Sequence, residues 1–203
     1  MAMRVIVVHS VAAEENSPES EWCKRMANAE RDCMKLVANP DTGITMRFPR
    51  WGLRGGLDGF FHPLTNRLND RNVYHQIVAA EKDGFDAAIT ACYFDPILRE
   101  LRTVVDIPIV GIAEASMHLA AILGYRFGVV SISPEAALDM DLNVDRCGLR
   151  QKCVGVRAMK DTHTGWLAAT LDNPPETLER TIDEFKATAR ELIALGADVI
   201  CDG

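Results

Sequence analysis

The stretch that decides the fold runs from Gly84 to Ser131 and reads GFDAAITACYFDPILRELRTVVDIPIVGIAEASMHLAAILGYRFGVVS. It contains three short apolar runs that are typical of buried strands, Ala87–Ala91, Ile107–Ile112 and Phe127–Val130. The segments between these runs have the length and pattern of helices. Because strands alternate with helices, the stretch predicts a βαβαβ arrangement and a largely parallel sheet.

A cysteine, Cys92, ends the first run and is followed by Tyr93, Phe94, Asp95 and Pro96. Asp95 suits a helix N-cap and Pro96 suits the first helical position, so we expect a helix to begin there. Cys92 then lies at the carboxyl end of a strand, where open α/β sheets bind ligands. The positive end of the helix dipole favours a thiolate at this place. A buried structural cysteine is the alternative, and the position favours a functional one.

The composition excludes several classes of protein. At 203 residues, with 48% hydrophobic and 25% charged residues, the chain is that of an ordinary globular protein with one large or two small domains. A net charge of -7 argues against a nucleic-acid partner, which requires a basic face. No apolar run approaches the roughly 20 residues of a membrane span, and the N-terminus has no signal-peptide pattern. We therefore expect a cytoplasmic protein with neither a nucleic-acid nor a membrane partner.

Metal ligands are not indicated by the cysteines and histidines. The six cysteines form no C-x-x-C pair, and the five histidines form no H-E-x-x-H motif. A zinc site is therefore not expected. In a reducing compartment the cysteines are free thiols.

The second half of the chain repeats the first in outline. Arg4–Val8, a predicted strand, has its counterpart in the strand that begins at Phe127, and Ser133-Pro134-Glu135 opens a helix as Ser17-Pro18-Glu19 does. The other predicted elements are helices over 17–37, 72–84 and 173–195, and strands over 44–48, 154–158 and 198–200. Each half also has a Gly-x-Asp before a strand, at 84–86 and 196–198. We expect two similar Rossmann-like α/β lobes, residues 1–115 and 116–203, with the active site in the cleft between them.

The repeat also indicates where a partner for Cys92 belongs. Cys92 lies eight residues after Gly84, and the position eight residues after Gly196 is 204, one past the last residue of the sequence. A lobe that ends on an inner strand without a closing helix is unusual. We therefore expect the second lobe to continue beyond residue 203.

Residues 49–63, PRWGLRGGLDGFFHP, form a segment rich in glycine, arginine and aromatic residues. The segment is not G-x-G-x-x-G and has no strand–turn–helix context, so it is not interpreted as a phosphate loop. Long loops of this kind are often lids or interfaces. We expect a lid or a contact in a homo-oligomer, with an ordinary surface loop as the alternative.

Several polar side chains are candidates for substrate binding. His9 and Ser10 follow the first strand, and Ser131 and Ser133 lie at the corresponding edge of the second lobe. Ser133 is equally well explained as a helix N-cap. Glu114 follows the strand Ile107–Ile112 and either points into the cleft or is a first-turn acid of the next helix.

The residues beside Cys92 suggest how a proton next to a carbonyl would be removed. This reaction needs a base on one face of the substrate and stabilisation of the enolate oxygen. Cys92 is the candidate base, and the backbone N–H groups of Tyr93 and Phe94 are candidate donors to the oxygen. The two aromatic side chains favour a cyclic or hydrophobic substrate. His118 lies inside the next helix and is better explained as a packed or surface histidine than as a catalytic one.

Three segments, ITACYFDP (89–96), DIPIVGIAEASMHLA (106–120) and GYRFGVVS (124–131), resemble the aspartate/glutamate/hydantoin racemase superfamily, and within it the hydantoin racemases. The resemblance implies two Rossmann-like lobes and cofactor-independent proton transfer next to a carbonyl. It also implies one catalytic cysteine from each lobe, of which Cys92 matches the first and position 204 the second. The family's N-P-N-T-S loop is replaced here by His9-Ser10-Val11-Ala12-Ala13, which leaves the substrate open.

Three functions are consistent with these residues. The first is a racemase with two cysteines that acts on 5-substituted hydantoins, amino acids or related carboxylic acids. The second is a decarboxylase or isomerase of the same superfamily with a single cysteine, because one base delivers a proton to one face only. The third is a non-catalytic two-lobe protein that binds small carboxylates, in which Cys92 is unreactive.

Overall fold

The structure, a computed structural model, describes residues 2–10, 18–49, 63–160 and 175–203. Strands and helices alternate along this part of the chain. They are β1 Arg4–Val8, α1 Pro18–Lys35, β2 Gly43–Arg47, α2 Pro63–Lys82, β3 Ala87–Thr90, α3 Leu98–Leu101, β4 Ile109–Gly111, α4 Ile112–Leu123, β5 Phe127–Ser131, α5 Pro134–Arg146, β6 Cys153–Ala158, α6 Pro175–Ala194 and β7 Val199–Asp202.

The strands form two separate parallel sheets. The first has the order β2-β1-β3-β4 and the second the order β6-β5-β7. The chain separates into two compact units between Gly111 and Ile112, so that each unit contains one sheet. The predicted domains, 1–115 and 116–203, divide the chain four residues later. The prediction of an α/β fold with parallel sheets is confirmed.

The first sheet reverses its strand order at β1. The chain moves from β1 outward to β2, and then back past β1 to β3 and β4. Because such connections are right-handed, α1 covers one face of the sheet, and α2 and α3 cover the other. The core of the second face is made by apolar residues of β1, β3, β4, α2 and α3, namely Ile6, Val8, Val73, Ile77, Ala80, Ala88, Leu98, Leu101 and Ile109.

The second sheet repeats this topology with three strands. β5 is central and pairs in parallel with β6 on one side and β7 on the other. A core cluster that contains Val130, Met159, Ala189, Leu192 and Ala197 joins β5 to α6. The second unit therefore has the strand arrangement that β2, β1 and β3 have in the first.

In each unit, the same polar contact holds the central strand in register with a neighbouring strand. In the first unit, the Arg4 backbone N–H donates to Asp86 Oδ2 at 2.7 Å, and the Asp86 N–H donates to the Arg4 carbonyl at 2.8 Å. In the second unit, the Arg126 N–H donates to Asp198 Oδ2 at 3.0 Å, and the Asp198 N–H donates to the Arg126 carbonyl at 2.9 Å. These contacts confirm the internal repeat that the sequence indicates.

A glycine ends the helix that precedes each of these aspartates. Gly84 and Gly196 have φ of 76° and 94°, in the left-handed region that glycine adopts without strain. The next residue of each, Phe85 or Ala197, donates its N–H to the carbonyl five residues earlier, at 3.1 Å in both cases. This is the Schellman ending, and it turns the chain from helix to strand at the same place in both units.

The prediction that a helix begins at Asp95 and Pro96 is wrong. Asp95 N–H donates to the Cys92 carbonyl at 2.9 Å and closes a tight turn, and both Asp95 and Ile97 have left-handed backbones with φ of 43° and 45°. A helix cannot pass through two such residues. The helix therefore begins at Leu98 and is only four residues long.

The other element predictions agree with the structure within a few residues, except that α2 begins earlier than position 72. The segment 49–63, predicted to be a lid or an oligomer contact, falls almost entirely on residues 50–62, outside the described residues. None of the described helices combines the length and the apolar character that crossing a membrane requires.

The packing of α6 on β5 predicts the effect of a small substitution. A Cβ added to Gly128 would lie 2.9 Å from Leu192 Cβ, which is too close for either residue to remain in place. We expect Gly128→Ala to lower the free energy of unfolding by about 1–3 kcal/mol, measured by urea denaturation.

Gly43→Ala is the matched control, because the nearest atom to a Cβ at Gly43 is 3.8 Å away. We expect this variant to unfold at the wild-type urea concentration or above it. Equal stability of the two variants would contradict the close packing of Leu192 on β5.

Candidate active site

The candidate site lies where the strand order of the first sheet reverses. β1 and β3 are neighbours with Val8 paired to Thr90, and the Ala91 N–H extends the pairing by donating to the Val8 carbonyl at 2.8 Å. The helices that follow β1 and β3 leave the sheet on opposite faces, which opens a crevice between the carboxyl ends of the two strands. Ser10 and Cys92 each lie two residues beyond the end of one of these strands.

Strand alternation assigns the side chains to the two faces. Along β1, Ile6 and Val8 belong to the core under α2 and α3, so Ser10 continues on the same side. Along β3, Ala88 belongs to that core, so Thr90 and Cys92 continue on that side. Ser10 and Cys92 therefore share one face of the sheet.

The Cys92 thiol is buried among polar groups. Its residue is 5% exposed. The Ser10 side chain and the Phe94 backbone N–H both hydrogen-bond to the sulfur and lower its pKa. The negative charges of Asp95 and Asp70 act on it in the opposite direction.

Burial has the largest effect on the thiol. Loss of water around the sulfur raises the pKa of Cys92 to about 11, in spite of the hydrogen bonds from Ser10 and Phe94. The expectation of a thiolate stabilised by a helix N-terminus is therefore wrong for this conformation. The physical reason is that α3 has four residues and begins at Leu98, too short and too far along the chain to act on the sulfur.

Asp95 is held in place by the absence of a side chain at Gly111. The Asp95 residue is 7% exposed, and a Cβ at Gly111 would lie 2.5 Å from its carboxylate oxygen Oδ1. The carboxylate therefore rests directly on the backbone at the end of β4. This contact fixes a negative charge near the thiol.

The structure gives His9 partners on the other side of the sheet. His9 is 2% exposed, its Nε2 lies 3.0 Å from Glu30 Oε2, and its ring stacks on Phe48 with centroids 4.1 Å apart. Because His9 alternates with Ser10, it points to the face that α1 covers. Its predicted contact with substrate stays a prediction.

Of the other predicted residues, Tyr93 is half-buried next to Cys92 in the first unit, and the rest are in the second unit, where local structure engages the two serines. Ser131 Oγ donates to the Ser133 carbonyl at 3.0 Å, and Ser133 Oγ accepts the Ala136 N–H at 3.1 Å as the N-cap of α5. The N-cap interpretation of Ser133 is confirmed. Glu114 lies in the first turn of α4, as the alternative interpretation of this residue expects. Their roles in substrate binding stay predictions.

Two polar residues near the thiol, Asp70 and Thr90, and a buried polar residue of α2, Asn69, were not predicted. Asn69 and Asp70 are on α2, and Thr90 is the last residue of β3. A signal for Asn69 exists, because it lies at helical spacing from the core residues Val73 and Ile77 and interrupts an apolar face. Thr90 has no such signal, since threonine is common in strands. Over the described ranges, no three side chains of the metal-binding types come together.

The environment of Cys92 predicts opposite effects for two conservative variants. Ser10→Ala removes a donor to the thiolate, so we expect a higher pKa of Cys92. Asp95→Asn removes a negative charge while asparagine tolerates the left-handed backbone, so we expect a lower pKa. The measurement is the rate of Cys92 alkylation against pH, followed by peptide mass spectrometry to separate Cys92 from the other cysteines.

A pKa lowered by one gives about tenfold more thiolate at a pH below both values, so the shift is measurable. Cys33→Ser, at an exposed cysteine of α1, is the control and is expected to leave the Cys92 profile unchanged. Shifts of the same sign in Ser10→Ala and Asp95→Asn would contradict this description of the site.

The sequence of this chain is similar to the sequences of known hydantoin racemases. Hydantoin racemases of Pseudomonas sp. (strain NS671) and of Rhizobium meliloti are 33% identical over 123 residues and 32% identical over 135 residues. These alignments cover 61% and 63% of this chain, and 48% and 54% of the relatives. The chain thus spans about half the length of the hydantoin racemases it matches.

Two solved structures are similar over almost the whole chain. Allantoin racemase from Pseudomonas fluorescens has a TM-score of 0.79 at 25% identity, and allantoin racemase from Klebsiella pneumoniae has a TM-score of 0.72 at 24% identity. Both comparisons cover 99% of this chain, and they cover 76% and 74% of the two structures. The Asp/Glu/Hydantoin racemase family itself matches residues 56–203, a range that contains Cys92, part of the first sheet and the whole second unit with its sheet. The chain therefore belongs to the Asp/Glu/Hydantoin racemase family.

Proposed function

We propose that the protein is a cofactor-independent racemase that removes and returns a proton at a carbon next to a carbonyl, with Cys92 as an acid/base group. The observation that carries this proposal is the position of Cys92 in a member of this family. The thiol lies at the point where strand order reverses, and both a hydroxyl and a backbone N–H donate to its sulfur.

The protonation state of Cys92 defines its role in the resting protein. With its pKa raised to about 11, the group is a neutral thiol at neutral pH. A neutral thiol is a proton donor, and the Ser10 and Phe94 donors stabilise the thiolate that remains after it has donated. The same thiolate is a strong base in the reverse direction, because basicity rises with pKa.

Racemisation requires a second acid/base group on the opposite face of the substrate. Cys92 approaches the substrate from one side, and microscopic reversibility then requires another group to remove or add the proton from the other side. Without that group the same cysteine supports protonation of one face only, as in a decarboxylase or an isomerase of the family. The second group is thus the feature that separates these activities.

We propose 5-substituted hydantoins as the substrate class. Hydantoin racemases among the sequence relatives and allantoin racemases among the structural relatives both support a substrate with the cyclic imide ring of hydantoin. The buried Phe94 and half-buried Tyr93 beside the thiol support a ring rather than a free amino acid.

Proton exchange in D2O tests the proposal directly. The full-length protein is incubated with one enantiomer of a 5-substituted hydantoin, and the C5 proton is followed by NMR together with optical rotation. We expect exchange accompanied by loss of rotation. Cys92→Ala should reduce the rate by at least about a hundredfold, since a general acid/base typically contributes that much.

Cys33→Ser is the matched control and should exchange at the wild-type rate, because Cys33 is exposed on α1. Exchange without loss of rotation would favour the decarboxylase or isomerase activity, in which Cys92 works alone. An unchanged rate in Cys92→Ala would contradict every function in which this thiol is catalytic.

A further inference from the structure

His9 is a buried polar side chain to which the proposed mechanism gives no role. It is 2% exposed, and its ring stacks on Phe48 with the centroids 4.1 Å apart and the two planes 9° apart. Its Nε2 lies 3.0 Å from Glu30 Oε2. The two partners come from different elements, since Phe48 follows β2 and Glu30 belongs to α1. The ring of His9 is therefore held from two directions.

The two contacts fix the orientation of the ring as well as its place. The stack on Phe48 sets the plane of the imidazole, and the carboxylate of Glu30 attracts its Nε2 edge. Over the described ranges, neither His9 Nε2 nor Glu30 Oε2 takes part in a hydrogen bond, so their electrostatic contact with each other is what offsets the burial of both atoms. An aliphatic side chain of similar size would fill the space without being oriented in this way.

The backbone hydrogen bonds of β1 end at the same residue. The His9 N–H donates to the Arg47 carbonyl at 3.0 Å, and the Val8 carbonyl accepts the Ala91 N–H at 2.8 Å. Ser10 follows β1 and takes part in no backbone hydrogen bond within the described structure. The direction of the Ser10 side chain therefore depends on how His9 is held.

His9 and Ser10 point to opposite faces of the sheet, because the side chains of neighbouring residues alternate. His9 faces Glu30 of α1, and the Ser10 side chain lies against the Cys92 sulfur on the other face. Rotation of the chain about His9 would turn Ser10 away from the sulfur. The contacts of the His9 ring with Phe48 and Glu30 oppose this rotation.

We propose that His9 is a positioning residue, whose ring, fixed by Phe48 and Glu30 on one face of the sheet, holds the end of β1 so that the Ser10 hydroxyl donates to the Cys92 sulfur on the other face. His9 then acts through Ser10, which differs from the predicted contact of His9 with substrate. The inference rests on the proposed function where it concerns turnover, whereas the effect of His9 on the free thiol does not depend on any substrate.

The sign of the effect on Cys92 separates positioning from general packing. The hydrogen bond from Ser10 lowers the pKa of Cys92, and burial raises it. A variant that misplaces Ser10 therefore raises this pKa and leaves less thiolate at a given pH. A variant that only loosens the packing admits water to the sulfur, which lowers the pKa and leaves more thiolate.

Alanine variants of His9 and Val7 test the inference in the free protein. Val7 provides the matched control, because it is 0% exposed and lies two residues before His9 on the same face of β1. The measurement is the rate of Cys92 alkylation at one pH below its pKa, followed by peptide mass spectrometry. We expect His9→Ala to react about threefold more slowly than the wild type, since about tenfold less thiolate is partly offset by its higher nucleophilicity. Val7→Ala should react at the wild-type rate or faster.

Phe48→Leu provides a second variant, which keeps His9 and removes the ring on which it stacks. It should also slow alkylation, and it tests the inference even if His9→Ala does not fold. Each variant is then combined with Ser10→Ala, because a residue that acts through the Ser10 hydroxyl has no effect once that hydroxyl is removed. We expect both double variants to react at the rate of Ser10→Ala alone.

Turnover of a 5-substituted hydantoin gives the corresponding test for the reaction. We expect His9→Ala to lower kcat at least about threefold with an unchanged KM, because the Ser10 hydrogen bond supports the thiolate and does not bind substrate. In the Ser10→Ala background, His9→Ala should change neither kcat nor KM.

The outcomes separate this inference from the proposed function. Alkylation of His9→Ala or Phe48→Leu at the wild-type rate or faster overturns the positioning role. An effect of His9→Ala that persists in the Ser10→Ala background, on alkylation or on KM, also overturns it, and an effect on KM assigns His9 to substrate contact. Slower alkylation that Ser10→Ala abolishes, in a protein without racemase activity, supports the positioning role and overturns the proposed racemase.

Discussion

The parallel pairing of β1 with β3 is the contact on which the first unit depends. It brings together the ends of two strands that are about 80 residues apart in sequence. It also makes β1 the strand at which the order of the strands in the sheet reverses. The reciprocal backbone contacts between Arg4 and Asp86 fix the register of this pair at its amino end. A shift of one residue would move Cys92 to the opposite face, because side chains alternate with a period of two.

This register determines the chemistry at the carboxyl end. It sets Ser10 and Cys92 side by side on the face covered by α2, and it sends His9 to the other face, against Glu30 and Phe48. The second unit has the same contact between Arg126 and Asp198, so the same local hydrogen bonds fix the strand register within each sheet. The repeat in sequence is therefore a repeat of a physical constraint.

Burial and hydrogen bonding have opposite effects on the pKa of Cys92. Loss of water favours the neutral form of the Cys92 thiol, and the nearby Asp95 and Asp70 reinforce this effect, whereas Ser10 and the Phe94 N–H favour the thiolate. Burial prevails, so Cys92 is a neutral thiol at neutral pH. In the racemisation that we propose, which runs in both directions, this arrangement keeps the thiol protonated without leaving its thiolate unsupported.

Sequence patterns predict much of this fold, and the reasons for the exceptions are local. Apolar runs and the Gly-x-Asp repeat predict the parallel strands and the alternation of strands with helices, because these features depend directly on burial and local backbone geometry. The turn after Cys92 is different, since the left-handed conformations of Asp95 and Ile97 depend on tertiary contacts such as the one between Asp95 and Gly111. The raised pKa of Cys92 likewise depends on burial of the thiol in the folded protein, which no short motif encodes.

The central claim is that the proton on the buried Cys92 takes part in turnover. The most direct measurement is the pH profile of kcat/KM for a 5-substituted hydantoin, compared in wild type and Asp95→Asn with the pKa of Cys92 from alkylation of the free protein. Because kcat/KM reports groups of the free enzyme, the account predicts an alkaline limb that coincides with the Cys92 pKa and moves to lower pH in the variant. An alkaline limb that stays in place while the alkylation pKa moves would contradict the account.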